Sequence, residues 1–418
     1  MQRHARGGGG SVKVRQLAPV DAGVELGDVL RALSVRPSVR AFSADVLALC
    51  DAFSRTLFKD PEARQHPEFQ ALAFWMRRAE LTRLAESYAA LATPSTVLVP
   101  RGLVFHLPPS NVDTIFVYSW LLSVLVGNRN IIRLSTSAGA QSLLLARLFA
   151  RALAEGPESM RASSAIVQYG HEAEITRAIS EAADIRVIWG GDRTVQTIRA
   201  IPLAPHAKEL VFPDRYSLSA VKASAYLALD EAGRKDLASK YFNDVYWFDQ
   251  MACSSPRLML WCGAGDESRN AAEMFWGELA AHVARKGYRV ETATRIEKYT
   301  HACGAAIDMR VAGYREWSSE LTVVTLASLE GLRREACGGG MLLEAFVPAL
   351  ANAAPHLERR DQTLGQFGFS AEELREFAAV VNGAAIDRVV PMGQALDFNR
   401  YWDGYDLLEE MSKRVYLG

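Results

Sequence analysis

Gly127-Asn128-Arg129-Asn130-Ile131-Ile132-Arg133-Leu134-Ser135-Thr136 reads as a tight turn running into a buried strand that ends in a cation and two hydroxyls. The amphipathic run from Ala138 to Glu155 follows, so a strand hands over to a helix. The alternation continues on both sides. Upstream, Leu103 to Leu107 precedes a helix after Asn111. Downstream, Ala165 to Tyr169 is followed by Ala173 to Ala182, Ile185 to Trp189 by Val195 to Ala200, and then comes Glu209 to Phe212. Short apolar strands alternating with amphipathic helices predict parallel βαβ units, which take nucleotides at the carboxyl ends of their strands. The rhythm restarts after Cys253, with Arg257 to Trp261 as a strand and Glu273 to Lys286 as a helix. The expected fold class is therefore α/β: a Rossmann-type nucleotide domain plus a second α/β domain.

Ahead of Val97 the pattern is helical from about Val29 to Leu91, where apolar residues recur at helical spacing among Arg and Glu. The expected divisions are 1–96, a tail and helical segment; 97–248, the nucleotide-binding domain; 249–385, the domain that carries Cys253; and 386–418, a segment returning to the domain interface. In that last segment Asp387 to Pro391 reads as a strand and Tyr405 to Arg414 as a terminal helix.

With 418 residues, 49% of them hydrophobic, the chain can bury a substantial core. Its net charge of -1 offers no global attraction to nucleic acid or to an anionic membrane. The longest apolar run, Thr114 to Val126, is shorter than the ~20 residues that span a bilayer, and predicts a buried helix. Five widely spaced cysteines lack zinc-site spacing, so no metal is expected and a reducing compartment suits them. The start, with Gly7 to Gly10 and no apolar h-region, is no secretory signal, and the cytoplasm is the expected location.

Four motifs carry chemistry. Phe105-His106-Leu107-Pro108-Pro109-Ser110-Asn111-Val112-Asp113-Thr114 leaves a strand, breaks at two prolines and enters a helix, with Ser110 and Asp113 spaced as a capping box. Asn111 reads either as one more cap or as an amide donor aimed at a developing oxyanion. Arg133 reads as a solvated arginine or as a holder of a ribose or its phosphate. Gly190-Gly191 follows a strand, where glycine lets a cofactor approach the backbone. Asp249-Gln250-Met251-Ala252-Cys253-Ser254-Ser255-Pro256-Arg257 is a small, polar, turn-prone patch before the strand Leu258-Met259-Leu260-Trp261. A thiol on a loop at the mouth of a strand is placed to be a nucleophile, although cysteines also serve as inert filler.

Taken in this order, the elements resemble the aldehyde dehydrogenase superfamily. Ser110-Asn111-Val112, Asp249 to Pro256 and Trp402-Asp403-Gly404-Tyr405-Asp406 are more narrowly similar to the LuxC-type acyl-CoA reductases, and the likeness runs from about Val97 to the C-terminus. It implies an aldehyde dehydrogenase-like fold with Cys253 as the acylated nucleophile, and Asn111 with the Cys253 backbone N–H as an oxyanion hole. Glu209 matches a general-base glutamate, but Val211-Phe212 stand where two glycines are usual. Gly190 and Gly191 match a glycine step near the pyrophosphate and nicotinamide. Arg133-Leu134-Ser135-Thr136 falls where Lys-Pro-Ser-Glu is common; a guanidinium in place of the lysine and no carboxylate at Thr136 should favour a 2′-phosphate, hence NADPH, with NADH the alternative.

The reaction implied is reduction of an acyl thioester on CoA or an acyl-carrier protein to an aldehyde through an acyl-cysteine. Alternatives are aldehyde oxidation or acyl-phosphate reduction on the same fold, or a non-catalytic acyl-carrier-binding subunit. An acyl-transferring partner enzyme and a homo-oligomer are further expectations. Tyr118, Trp120, Tyr246, Trp247 and Phe248 read as core or as the lining of an acyl tunnel, and no catalytic role is expected of Trp402-Asp403-Gly404.

Overall fold

The computed structural model describes residues 12–35, 38–109, 112–335 and 337–418. Two compact units form, one of Met1–Pro213 with Tyr405–Gly418 and the other of Asp214–Gly404.

The first unit opens with a hairpin, β1 (Lys13–Ala18) and β2 (Ala22–Glu25), and continues through α1 (Leu26–Val35), α2 (Ala44–Lys59), α3 (Pro67–Trp75) and α4 (Arg78–Ala89) to β3 (Thr96–Pro100). Strands and helices then alternate: β4 (Leu103–Leu107), α5 (Ile115–Leu125), β5 (Arg129–Leu134), α6 (Ala140–Glu155), β6 (Ser164–Gln168), α7 (Ala173–Ala182), β7 (Ile185–Trp189), α8 (Asp192–Arg199) and β8 (Lys208–Phe212). The sheet runs β2-β1-β6-β5-β4-β7-β8, parallel from β6 to β8, with β1 antiparallel to β6. From β4 the chain winds outward through β5 and β6, then returns to the other side of β4 as β7 and β8. The strand order thus reverses between β4 and β7, and folds of this kind bind ligands outside the carboxyl ends of the strands at such a point.

Residues 115–125 form a buried helix, as the apolar run predicts; every residue of α5 from Phe116 on is buried. The expected capping box is not what starts it. The N-cap is Thr114, which makes no side-chain cap bond, and Asp113 instead accepts from the Ser142 hydroxyl on α6; Ser110 lies outside the described residues. The hairpin β1-β2 was not expected within 1–96; it extends the sheet beyond β6.

The second unit contains β9 (Tyr216–Lys222), α9 (Ala223–Leu227), α10 (Glu231–Tyr246), β10 (Pro256–Cys262), α11 (Gly265–Lys286), α12 (Thr292–Asp308), β11 (Val311–Ser318), β12 (Leu321–Leu326), β13 (Met341–Val347), β14 (Asp361–Phe367), α13 (Ala371–Val381), β15 (Arg388–Pro391) and the two-residue β16 (Tyr401–Trp402). Its sheet order is β11-β12-β13-β10-β9-β14-β15, with only β11 antiparallel. All seven residues of β10 are buried. Leu258, Leu260 and Cys262 face one core, and Met259 and Trp261 the other, so both faces of this parallel sheet are covered. Because β9 lies between β10 and β14, the unit begins at Asp214 and takes in β9 and α10; the boundary expected at 248/249 falls inside it.

The chain ends in the first unit with β17 (Tyr405–Asp406), α14 (Leu407–Glu410) and β18 (Ser412–Tyr416). A helix to Arg414 was expected. Only one helical turn forms, and β18 pairs antiparallel with β3, Arg414 opposite Leu98, which satisfies backbone groups that β3 would otherwise leave open.

Candidate active site

The approach to Cys253 is a forced piece of backbone. Phe248, Asp249 and Gln250 have φ of 56°, 51° and 64°, three successive non-glycine residues in the left-handed region. Such conformations cost about 1 kcal/mol or more each and persist only where the surroundings impose them. Gln250 shows how. Its buried amide donates from Nε2 to the carbonyls of Pro256 (2.9 Å) and Met341 (3.0 Å), and its Oε1 accepts from the Gly340 N–H at 3.1 Å. The Gly339 N–H adds a bond to the Asp249 carbonyl at 3.1 Å. Gly338, Gly339 and Gly340 reach these positions with φ of +82°, +60° and +73°.

Cys253 follows in a turn just before β10 and is partly exposed. Its carbonyl accepts from the Ser217 hydroxyl at 2.7 Å, and Sγ lies 3.9 Å from Ser254 Oγ. Arg257 Nη2 donates to the carbonyls of Gln250 (3.3 Å) and Ala252 (3.1 Å), tying the loop from beneath. Arg388 donates to Ser254 Oγ at 3.3 Å and to the Ala395 carbonyl, and its guanidinium lies 4.4 Å over the Trp402 ring.

Burial pushes the Cys253 thiol above its ordinary pKa, and the Asp403 charge pushes the same way; the Ser254 contact, Arg257 and Arg388 pull it down without reversing the direction. Asp403, of which the sequence predicts no catalytic role, is a charge that acts on Cys253. Its buried carboxylate, on a residue with φ of 49°, accepts from Arg215 Nε at 3.1 Å and from Gln362. Burial raises it to about 6 against the opposing pull of Arg215. Nothing local in Trp402-Asp403-Gly404 announces a charge felt by Cys253, because folding alone brings these segments together.

In the first unit, Arg133 is the penultimate residue of β5. Its guanidinium donates to the Gly170 carbonyl and lies 5.3 Å over the Tyr169 ring, while Nε is buried with no hydrogen-bond partner among the described residues. Ser135 Oγ contacts Ser137 Oγ at 2.8 Å, and Thr136 is exposed. Beyond β7 the Gly190 N–H donates to the Phe212 carbonyl at 3.1 Å, and a Cβ at Gly190 would sit 3.3 Å from Thr194. Gly191 caps α8 in extended conformation. An unsatisfied guanidinium N–H near the end of β5 and a close-packed glycine after β7, flanking the carboxyl end of β4, fit a dinucleotide.

Glu209 sits on the edge strand β8. Its Oε1 accepts from Arg186 Nε at 2.9 Å and its Oε2 from Arg199 Nε at 2.8 Å; Arg186 is buried and also binds Ser180 Oγ and the Ile201 carbonyl. This is a carboxylate occupied on both oxygens. Asn111 lies outside the described residues. Tyr118, Trp120 and Tyr246 are buried core, and Trp247 is exposed. Among the described residues no cluster of metal-ligating side chains occurs, and no helix is long and apolar enough to cross a membrane.

The geometry can be set beside known proteins. The long-chain acyl-protein thioester reductase 2 of Photobacterium leiognathi is 28% identical over 183 residues, 44% of this chain and 35% of that protein. The long-chain acyl-protein thioester reductase of Photorhabdus luminescens is 26% identical over 187 residues, 44% of this chain and 37% of that protein. The matched stretch thus spans little more than a third of these relatives. Among solved structures, aldehyde dehydrogenase 21 of Physcomitrella patens superposes with a TM-score of 0.65 at 12% identity, over 97% of this chain and 93% of that one. Betaine aldehyde dehydrogenase of Staphylococcus aureus gives 0.63 at 13% identity, over 97% and 92%. At these identities the likeness establishes the aldehyde dehydrogenase fold. The family model of the acyl-CoA reductases, LuxC, matches residues 86–414, and the chain belongs to that family.

Proposed function

We propose that this protein reduces an acyl thioester, carried on CoA or on a carrier protein, to an aldehyde through an acyl group held on Cys253 Sγ, with NADPH as the reductant. The observation that carries the reading is the clamped loop: the Gln250 amide and the glycines 338–340 hold three left-handed residues in place and set Cys253, a partly exposed residue, at the head of a buried strand, next to charged side chains. The relatives' names favour a long acyl chain.

Cys253 exchanges one thioester for another. Its thiolate attacks the acyl carbonyl, the carrier thiolate leaves, and the activation of the carbonyl is conserved. The Cys253 N–H and, by family resemblance, the Asn111 amide are the donors assigned to the oxyanion; loss of one such donor typically costs about 3 kcal/mol in the barrier. A nicotinamide, when bound, would supply the hydride to the acyl carbonyl. The tetrahedral adduct then releases the aldehyde, the C–S bond breaks, and the Cys253 sulfur returns as thiolate for the next acyl group. Arg133 would hold the 2′-phosphate of NADPH, with no carboxylate at position 136 to repel it.

Glu209 supports reduction over aldehyde oxidation. Oxidation needs water activated against the acyl-enzyme, whereas a reductase loses its acyl group to any such water. Both oxygens of Glu209 are taken up by Arg186 and Arg199, so neither is free to orient a water toward an acyl group. The test is turnover by Cys253→Ala with a long-chain acyl-CoA and NADPH. Aldehyde formation should vanish while NADPH still protects the protein from thermal unfolding; aldehyde production by the variant would refute the proposal.

A further inference from the structure

Arg257 is buried, 6% exposed, four residues after the nucleophile. Nη2 is spent on the carbonyls of Gln250 and Ala252, the residues that lead into Cys253. Nε and Nη1 are buried and meet no hydrogen-bond partner among the described residues. A guanidinium cannot shed its proton, so burial without a counter-charge is unfavourable unless an anion forms beside it. Two ionisable groups feel its charge, the Tyr216 phenol and the Cys253 thiol. Tyr216 is itself buried, its pKa pushed up, so it stays neutral at ordinary pH. The sulfur remains.

We infer that Arg257 is a positioning residue for the proposed chemistry: it ties the nucleophile loop through two carbonyls and serves as the counter-charge of the Cys253 thiolate, before acyl transfer and again when the aldehyde departs. It keeps its proton throughout and transfers none. The inference rests on the reading of Cys253 as the acylated residue. Other groups act on the sulfur as well. Asp403 opposes the thiolate, Arg388 supports it while bound to Ser254 Oγ and the Ala395 carbonyl, and Ser254 lies within reach of Sγ. Arg257 differs from Arg388 in being buried with both Nε and Nη1 unspent. Burial still dominates and leaves the thiol raised, and the Arg257 charge limits how far.

The test is iodoacetamide alkylation of the full chain across the pH range, read by mass spectrometry on the peptide that carries Cys253. Arg257→Gln should move the midpoint of the Cys253 profile up by about one unit, so that alkylation near neutral pH slows about tenfold. Arg257→Lys keeps the charge and should stay within about half a unit of the unaltered protein. An unmoved midpoint in Arg257→Gln would overturn the inference, as would an equal rise in both variants, which would assign Arg257 to loop bracing alone. Should Arg257→Gln lose cooperative thermal unfolding, Arg257→Lys decides: a midpoint near that of the unaltered protein supports the counter-charge, and a rise of about one unit contradicts it. Alkylation needs no acyl donor. Failure of Cys253 to accept an acyl group would therefore sink the functional reading without changing what this profile says about Arg257.

Discussion

At the scale of single residues, Cys253, the proposed nucleophile, is under opposed influences. Burial and Asp403 favour the thiol, and two arginines favour the thiolate. Since the net direction is upward, the thiolate fraction grows later on the pH axis than for a free cysteine. Single-turnover acylation should therefore keep rising past about pH 8.5, the ordinary thiol value; a plateau well below it would contradict the balance drawn here. Asp403→Asn removes the opposing charge and should speed Cys253 alkylation near pH 7, by up to about tenfold if the charge is worth one unit. Stability should drop by about 1–3 kcal/mol as Arg215 loses a buried partner, and alkylation unchanged by the substitution would show that the carboxylate does not reach the sulfur. The turn that places Cys253 before a buried strand was legible in the sequence, because a small, polar patch abuts an apolar run. Asp403 was not, because its effect depends on a buried position reached only on folding. The paired state of Glu209 was equally hidden: its partners Arg186 and Arg199 lie on a neighbouring strand and helix.

Among the elements, the loop before β10 is the one whose geometry matters most. Gly340 has φ of +73°, and a Cβ there would lie 2.0 Å from the Glu320 carbonyl oxygen. Gly340→Ala should therefore cost about 3 kcal/mol or more, as backbone strain adds to overlap with an atom that cannot swing aside. Gln250→Ala strands the carbonyl of Met341 and the N–H of Gly340, and should cost about 1–3 kcal/mol with a fall in acylation rate greater than any change in substrate affinity. Urea unfolding and single-turnover kinetics on both variants check this; an unstrained Gln250→Ala with full acylation would remove the clamp from the explanation. Strands β4 to β8 and β10 could be read from sequence because buried parallel strands are short continuous apolar runs. The hairpin β1-β2 and the terminal β18 could not. Ser412-Lys413-Arg414-Val415-Tyr416 has no apolar period, and it forms a strand only because β3 offers it backbone partners.

On the scale of the whole molecule, the order of strands in the first sheet sets Arg133 on one side of β4 and Gly190 on the other. The alternation of strands and helices foretold parallel βαβ units but not this order, and not the division of the chain at Asp214, since β9 declares its membership only by pairing with β10 and β14. Arg133→Ala should lower kcat/KM for NADPH by about tenfold or more, as a charge-assisted phosphate contact is lost, and leave that for NADH nearly unchanged. Equal loss with both would deny Arg133 a role in choosing between them. The most direct measurement of all is mass spectrometry of the proteolysed protein after mixing with long-chain acyl-CoA in the absence of reductant. The expected result is one acyl group, on the peptide containing Cys253, that disappears when NADPH is added and reappears as aldehyde. An acyl group on another residue, or none on Cys253 under conditions that give turnover, would contradict it.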